Sequence, residues 1–207
     1  PRAAHLDDEK RVLRYLYNTK LKGLRYLRTG APFTITALAD SSWANDVDTR
    51  RSRFGFAIYV NRCLVAWRSK LHSVLALSTA EAEYTAATET AKTVTWIASL
   101  MRFLRAAPVL PVRMFEDNVA CRTMATTKQV SGRNKHFELR QHYIRNEVAK
   151  GNIKLIEVAT GDQIADVFTK SLSRPIFEKH VTALMEGLPT IFVGTETRLW
   201  VTSNPEL

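Results

Sequence analysis

Cysteine is nearly missing from this chain: Cys63 and Cys121 are the two thiols in 207 residues. Two thiols cannot build a disulfide framework, so a stapled secreted scaffold is excluded and a reducing, intracellular setting is expected, in a cytoplasmic particle or the nucleus. Long apolar runs are also lacking. None approaches the roughly 20 residues of a membrane-spanning helix, so no membrane association is expected. The start shows no secretory signal pattern, and Pro1 in place of Met reads as a fragment or processed piece. No internal repeat is visible. Acid falls short of base, 20 Asp and Glu against 30 Lys and Arg, leaving a formal net charge of +10. That excess favours a polyanionic partner.

The positive charge is uneven. Residues 1–30 hold eight Lys/Arg against three Asp/Glu, residues 122–154 eight against two, and the tail 171–207 three against four. The two basic blocks are the expected phosphate contacts, although Lys and Arg also serve simply to solvate helix surfaces. A helix is expected over about 8–18, capped by Asp7, with Val12, Leu13, Leu16 and Tyr17 as its apolar stripe. Strands follow at about 33–40, 53–60 and 63–68, the last two joined by a tight turn at Asn61-Arg62. A long helix spans about 79–105, where Ser78 and Glu81 form a capping box. Then come a strand at 112–116, helices at about 118–126 and 136–149, and a strand at 153–158. A helix carrying Asp166 and a last one over about 175–186 complete the order. The final twenty residues show no period and are expected to pack loosely. Trp43, Trp67 and Trp96 read as core or inter-strand packing residues. The whole order predicts an α/β fold: a mixed five-stranded sheet, three antiparallel strands then two parallel ones, with helices on both faces.

Four acids stand at strand ends or on helices in this order: Asp40, Glu83, Asp117 and Asp166. Brought together they would concentrate negative charge, and two hard divalent cations held by oxygen are the usual counter-charge. Such a pair suits phosphodiester hydrolysis by in-line displacement. Singly, Asp40 and Asp117 could each be a turn or cap residue. Glu81 competes with Glu83, but the two lie on different helix faces and Glu81 already fits the cap. His136 and His142, six apart, have the wrong spacing for two ligands on one helix face, so zinc is not expected. Arg133, Lys135 and His136 at a predicted helix start could hold a phosphate, or could be a solvent-facing helix end.

The local wording is similar to the ribonuclease H region of copia-type retrotransposon polyproteins. The resemblance is carried by Ala39-Asp40-Ser41-Ser42-Trp43-Ala44, Arg51-Ser52-Arg53-Phe54-Gly55-Phe56, Trp67-Arg68-Ser69-Lys70 and Leu77-Ser78-Thr79-Ala80-Glu81-Ala82-Glu83-Tyr84. It continues in Glu116-Asp117-Asn118, Arg133-Asn134-Lys135-His136-Phe137-Glu138-Leu139-Arg140, His142-Tyr143-Ile144-Arg145 and Ala165-Asp166-Val167-Phe168-Thr169-Lys170. It covers about residues 5–187. Residues 1–32 resemble the end of the reverse transcriptase that precedes this domain, 33–187 the ribonuclease H-like domain itself, and 188–207 match nothing. Ser42 stands where the family commonly has a second acid. No basic helix is inserted after the helix that follows Asp117, and the loop before Asp166 lacks a histidine that many relatives have.

The resemblance implies cleavage of the RNA strand of RNA–DNA hybrids by two Mg²⁺ ions, with Mn²⁺ as a substitute and no small-molecule cofactor. Asp40, Glu83, Asp117 and Asp166 would be the ligands. Asp40 would bridge, Glu83 and Asp117 would hold one flank, and Asp166 the other. Asn118, Arg133, Lys135 and His136 are the expected substrate contacts. The partners would be the hybrid and the reverse transcriptase portion of the same polyprotein; polymerisation is not expected of the chain itself. A nucleic-acid-binding remnant with a slow or decayed site remains open, as does a DNA-cutting enzyme of the same superfold.

Overall fold

A computed structural model describes residues 3–127 and 143–192, with side chains from His5. The central strand β1 (Thr34–Ser42) is buried along nearly its whole length. Its run of β-branched and small apolar residues therefore serves two faces at once. β2 (Arg53–Val60) and β3 (Cys63–Leu71) add to one edge of it in antiparallel order, while β4 (Val109–Glu116) and β5 (Ile153–Glu157) add to the other edge in parallel. The sheet reads β3-β2-β1-β4-β5. This is the predicted mixed sheet. β1 and β3 run beyond their expected ends, to Ser42 and Leu71, because pairing with β2 continues through Ser42↔Arg53 and Arg53↔Leu71. The β2–β3 turn is as expected: Asn61 and Arg62 both have positive φ, 46° and 70°, as a two-residue hairpin with right-handed strand twist requires.

Alternation along the strands divides the core. Ile35, Ala37, Phe54, Phe56, Ile58, Val112 and Met114 pack on one face with α2 (Thr79–Phe103), α3 (Val119–Thr126) and the helix at 143–149, α4. Leu38, Ala57, Tyr59, Leu64 and Phe115 pack on the other with α5 (Arg174–Glu186) and the 3-10 helix Ile164–Phe168. Alanines 82, 86, 87, 91 and 98 give α2 its smooth buried side, which lets it lie close to the sheet. Its first turn has the predicted reciprocal cap. Ser78 Oγ accepts the Glu81 N–H at 3.2 Å, and the Glu81 carboxylate accepts the Leu77 N–H at 2.7 Å.

Several expectations are corrected. Helix α1 spans Ala3–Thr19, so Asp7 lies inside it, 3.6 Å from Lys10, and caps nothing. Its stripe of Val12, Leu13, Leu16 and Tyr17 is exposed. Asp166 lies in a short 3-10 helix, Ile164–Phe168, with Gln163 as its N-cap, its side chain accepting the Ala165 N–H. Trp43, Trp67 and Trp96 are about half or more exposed, at 47%, 54% and 64%. Trp67 belongs to the edge strand β3, and Trp43 only reaches back to donate its indole N–H to Ala76 O at 3.0 Å. The tail does not come loose at 188. Leu188 and Phe192 are buried in the core, and Arg113 donates to Phe192 O at 2.6 Å. The segment before β1 is also tied in, by Arg25 N–H to Met185 O at 2.8 Å and Tyr26 Oη to Leu64 O at 2.9 Å.

Candidate metal centre

β1 and β4 are parallel neighbours, with Leu38 opposite Phe115. Two residues further along each strand come Asp40 and Asp117, so register alone brings both acids to the carboxyl ends of the strands, at the same edge of the sheet. The buried start of α2 adds Glu83. One carboxylate oxygen from each of Asp40, Glu83 and Asp117 lies within 4.8 Å of the others. The fourth acid arrives from the far side. Gln163, fully buried, donates its side-chain N–H to Ala39 O at 2.9 Å and so pins the start of the 3-10 helix beside Asp40. Thr169 closes the end of that helix: its hydroxyl donates to Asp40 Oδ2. Between these anchors Asp166 stands close enough to Asp40 that the Asp40 charge raises Asp166, while Asp166 itself helps to lower Asp40 through a side-chain hydrogen bond.

The electrostatics follow from burial and crowding. Glu83 is pushed up to about 11, first by burial and then by the charges of Glu116, Asp40 and Asp117. Asp166 is pushed up to about 7, by burial and then by Asp40. Burial also raises Asp40, while the Thr169 hydroxyl and the Lys170 ammonium pull it back. Lys170 Nζ stands 2.9 Å from Asp166 Oδ1, as an ion pair rather than an aligned hydrogen bond, and 3.9 Å from Asp40 Oδ1.

Four participants were missed in the sequence. Gln163, Thr169 and Lys170 meet β1 only through the fold. Glu116 has no exposure at all, and burial holds its carboxyl well above the usual range. Its Oε1 accepts the Asn118 N–H at 3.1 Å, and its Oε2 is buried without a hydrogen-bond partner among the described residues. Strand parity could have flagged it, since Glu116 shares the face of Val112 and Met114, both core residues. Asn118, expected at the substrate, is the N-cap of α3: its Oδ1 accepts the Cys121 N–H at 2.9 Å. Arg133, Lys135 and His136 lie outside the described residues.

The donor set fits hard divalent cations. It consists of carboxylate oxygens from three separate elements, and Glu83 Oε2 is buried without a hydrogen-bond partner among the described residues. Mutual repulsion is what a cation would relieve. The Cys121 thiol is not a rival ligand. Burial, with the Glu116 and Glu83 charges, pushes its pKa up, away from thiolate.

No protein-family model matches the chain. Curated relatives do. Over 89% of its length it is 33% identical to the retrovirus-related Pol polyprotein from transposon RE1 of Arabidopsis thaliana. Over 86% it is 35% identical to that from transposon RE2 of the same plant, and over 86% it is 32% identical to that from transposon TNT 1-94 of Nicotiana tabacum. The chain spans 12–13% of the length of these relatives. Among solved structures, RNase H1 from Halobacterium salinarum NRC-1 is 11% identical with a TM-score of 0.48, over 66% of this chain and 94% of that one. That likeness is distant, and the fold rests on the strand order and directions above. With these relatives and the sheet described above, the chain belongs to the retrovirus-related Pol polyproteins of transposons and has a ribonuclease H-like fold.

Proposed function

We propose that the chain hydrolyses the RNA strand of RNA–DNA hybrids, as the ribonuclease H part of a copia-type Pol polyprotein, with Mg²⁺ or Mn²⁺ held by Asp40, Glu83, Asp117 and Asp166. The observation that carries this reading is the meeting of Asp40, Glu83 and Asp117, from β1, α2 and the end of β4, within 4.8 Å. A pair of bound divalent cations supplies the Lewis acidity that activates water and neutralises a leaving 3′ oxygen. The residues supply the rest. Gln163 and Thr169 hold the Asp166 segment against Asp40, so the two flanks of the centre keep a fixed spacing. Asp166 would hold an ion on the flank where the attacking water sits, opposite Glu83 and Asp117. Displacement at phosphorus then breaks the P–O3′ bond and leaves a 5′-phosphate and a 3′-hydroxyl. In the same reading residues 1–32 are the end of the preceding reverse transcriptase, 33–187 the nuclease domain with 188–192 packed onto it, and the reverse transcriptase and the hybrid are the partners.

Cleavage of an RNA–DNA hybrid, compared with a DNA duplex and an RNA duplex of the same sequence, tests this. Cleavage of the RNA strand of the hybrid alone, abolished by chelator and restored by Mg²⁺, is expected. Full activity in excess chelator would sink the mechanism, and cutting of the DNA duplex would favour an integrase-like enzyme. Binding without cleavage would leave a nucleic-acid-binding remnant.

A further inference from the structure

The loop between β1 and β2 lies at the acid end of the sheet and is tied down on both sides of it. Register puts it there. Ser42 pairs with Arg53 and Arg53 with Leu71, so the end of β1, the start of β2 and the end of β3 share the edge that carries Asp40. Trp43 follows β1 directly, and its indole N–H donates to Ala76 O at 3.0 Å, just before the helix that carries Glu83. Ala44 has a positive φ of 50°, sparsely populated without glycine, and its N–H donates to the Oγ of buried Ser52 at 3.1 Å. The Asn45 side chain donates to Thr169 O at 3.2 Å, on the Asp166 flank. What this anchored loop presents to water is apolar and basic. Trp43 is 47% exposed and its neighbour across the staple, Leu77, 77%. Arg50, Arg51 and Lys70 are exposed at the same edge, while Asp46 is used inside the loop, accepting the Thr49 N–H at 2.8 Å.

On the reading of the chain as a nuclease of RNA–DNA hybrids, we propose that Trp43 is the residue that sets where the cut falls: its tethered ring lies against the sugars in the hybrid's minor groove, with Arg50 and Arg51 on the flanking phosphates. An A-like helix has a wide, shallow minor groove lined by sugars, a surface that an apolar ledge can enter and that cations beside it complement. The ledge is continuous with the acid centre. Three residues separate Trp43 from Asp40, a reach of at most about 11 Å, so the ring acts within roughly three nucleotide steps of the scissile phosphate at about 3.4 Å per step. The Ala76 tether fixes the ring's position, and a fixed ring fixes which phosphate meets the acids.

Two measurements on the whole chain test this: binding of a fluorescent hybrid in chelator, which needs no turnover, and cut positions on an end-labelled hybrid in Mg²⁺. Trp43→Ala should weaken hybrid binding about tenfold, the scale of losing one stacked aromatic, weaken binding of a DNA duplex less, and spread the cuts over neighbouring phosphates. Trp43→Phe keeps a ring but loses the tether, so it should hold most of the affinity and still spread the cuts. Replacing Arg50 and Arg51 by Ala should flatten the salt slope of binding by about one to two. Folded Trp43→Ala and Trp43→Phe proteins that bind and cut as wild type does would overturn the inference and leave the nuclease reading standing. An equal loss on the DNA duplex would overturn the minor-groove assignment. A wild-type dimer that Trp43→Ala dissociates, with hybrid binding unchanged, would give the ledge to a second copy instead. Wild type that neither binds nor cuts the hybrid would overturn the nuclease reading and the inference together.

Discussion

Glu81 and Glu83 lie two residues apart on α2 and have unrelated work. Glu81 is tied into the first turn by its own N–H to Ser78 and by its carboxylate to the Leu77 N–H. Glu83 is buried among three other acids, with one oxygen unpartnered. Glu83→Gln should therefore lower hybrid cleavage by roughly a hundredfold or more, the scale of losing one preorganised electrostatic group. In the metal-free protein it should change stability little near neutral pH, where Glu83 already carries its proton, and stabilise only as pH rises toward about 11. Glu81→Gln should leave cleavage near wild type and cost at most about 1 kcal/mol of stability, as for a weakened cap. Steady-state cleavage together with thermal melting in chelator checks both. Loss of activity in Glu81→Gln with retention in Glu83→Gln would reverse the assignment.

At the scale of elements, the junction between β2 and the 3-10 helix Ile164–Phe168 depends on Gly55. Gly55 pairs with Asp40 across the β1–β2 ladder. A Cβ there would collide with Phe168 Cβ, and would sit 3.1 Å from Thr169 Cγ2 and 3.3 Å from Arg68 O. The close approach lets Phe168 O accept the Ser69 hydroxyl at 2.6 Å and brings Thr169 to Asp40. Gly55→Ala should push the Asp166 segment outward. The expected cost is about 1–3 kcal/mol of stability, as for overpacking, with hybrid cleavage largely lost. The Asp40–Glu83–Asp117 side should still bind Mn²⁺, since none of its residues touches Gly55's missing side chain. Loss of all Mn²⁺ binding in a folded Gly55→Ala protein would show that the two halves of the centre are not separable.

For the whole molecule, two predictions follow from charge. The folded protein binds protons on Asp166 and Glu83 more tightly than the unfolded chain does, since their values rise from 3.8 to about 7 and from 4.5 to about 11. The stability these groups contribute is complete below the unfolded values and is lost as pH rises through about 7 and on toward about 11. In chelator, the melting temperature of wild type should fall relative to Glu83→Gln as pH rises across that window, and Mg²⁺ should close the gap. A gap that is constant with pH would deny that Glu83 is a buried acid in the metal-free state. The net charge of +10 governs binding. Hybrid affinity should fall steeply with salt as counterions are released. Replacing Arg133 and Lys135 by Ala should flatten the salt slope by roughly one to two, about one per lost phosphate contact. An unchanged slope in a binding titration would move the binding face elsewhere.

Much of this protein was legible from the chain alone because its signals are local. Alternation and turn residues marked β2, β3 and their Asn61-Arg62 hairpin, the Ser78–Glu81 box marked the start of α2, and Asp40 and Asp117 stood at recognisable strand ends. What the tertiary structure alone decided involves partners far apart in sequence. Gln163 meets Ala39 across 124 positions and Thr169 meets Asp40 across 129, and no periodicity reports such a meeting. Burial of polar groups is decided in the same way: Glu116 looked like a strand-end acid and became fully buried when α3 closed over β4. Trp67 failed in the opposite direction, since a large apolar residue is placed by its strand's rank in the sheet, and β3 is an edge. Residue types and spacing named the acids, but the order in which strands stack determined which of them share charge, and with which cation.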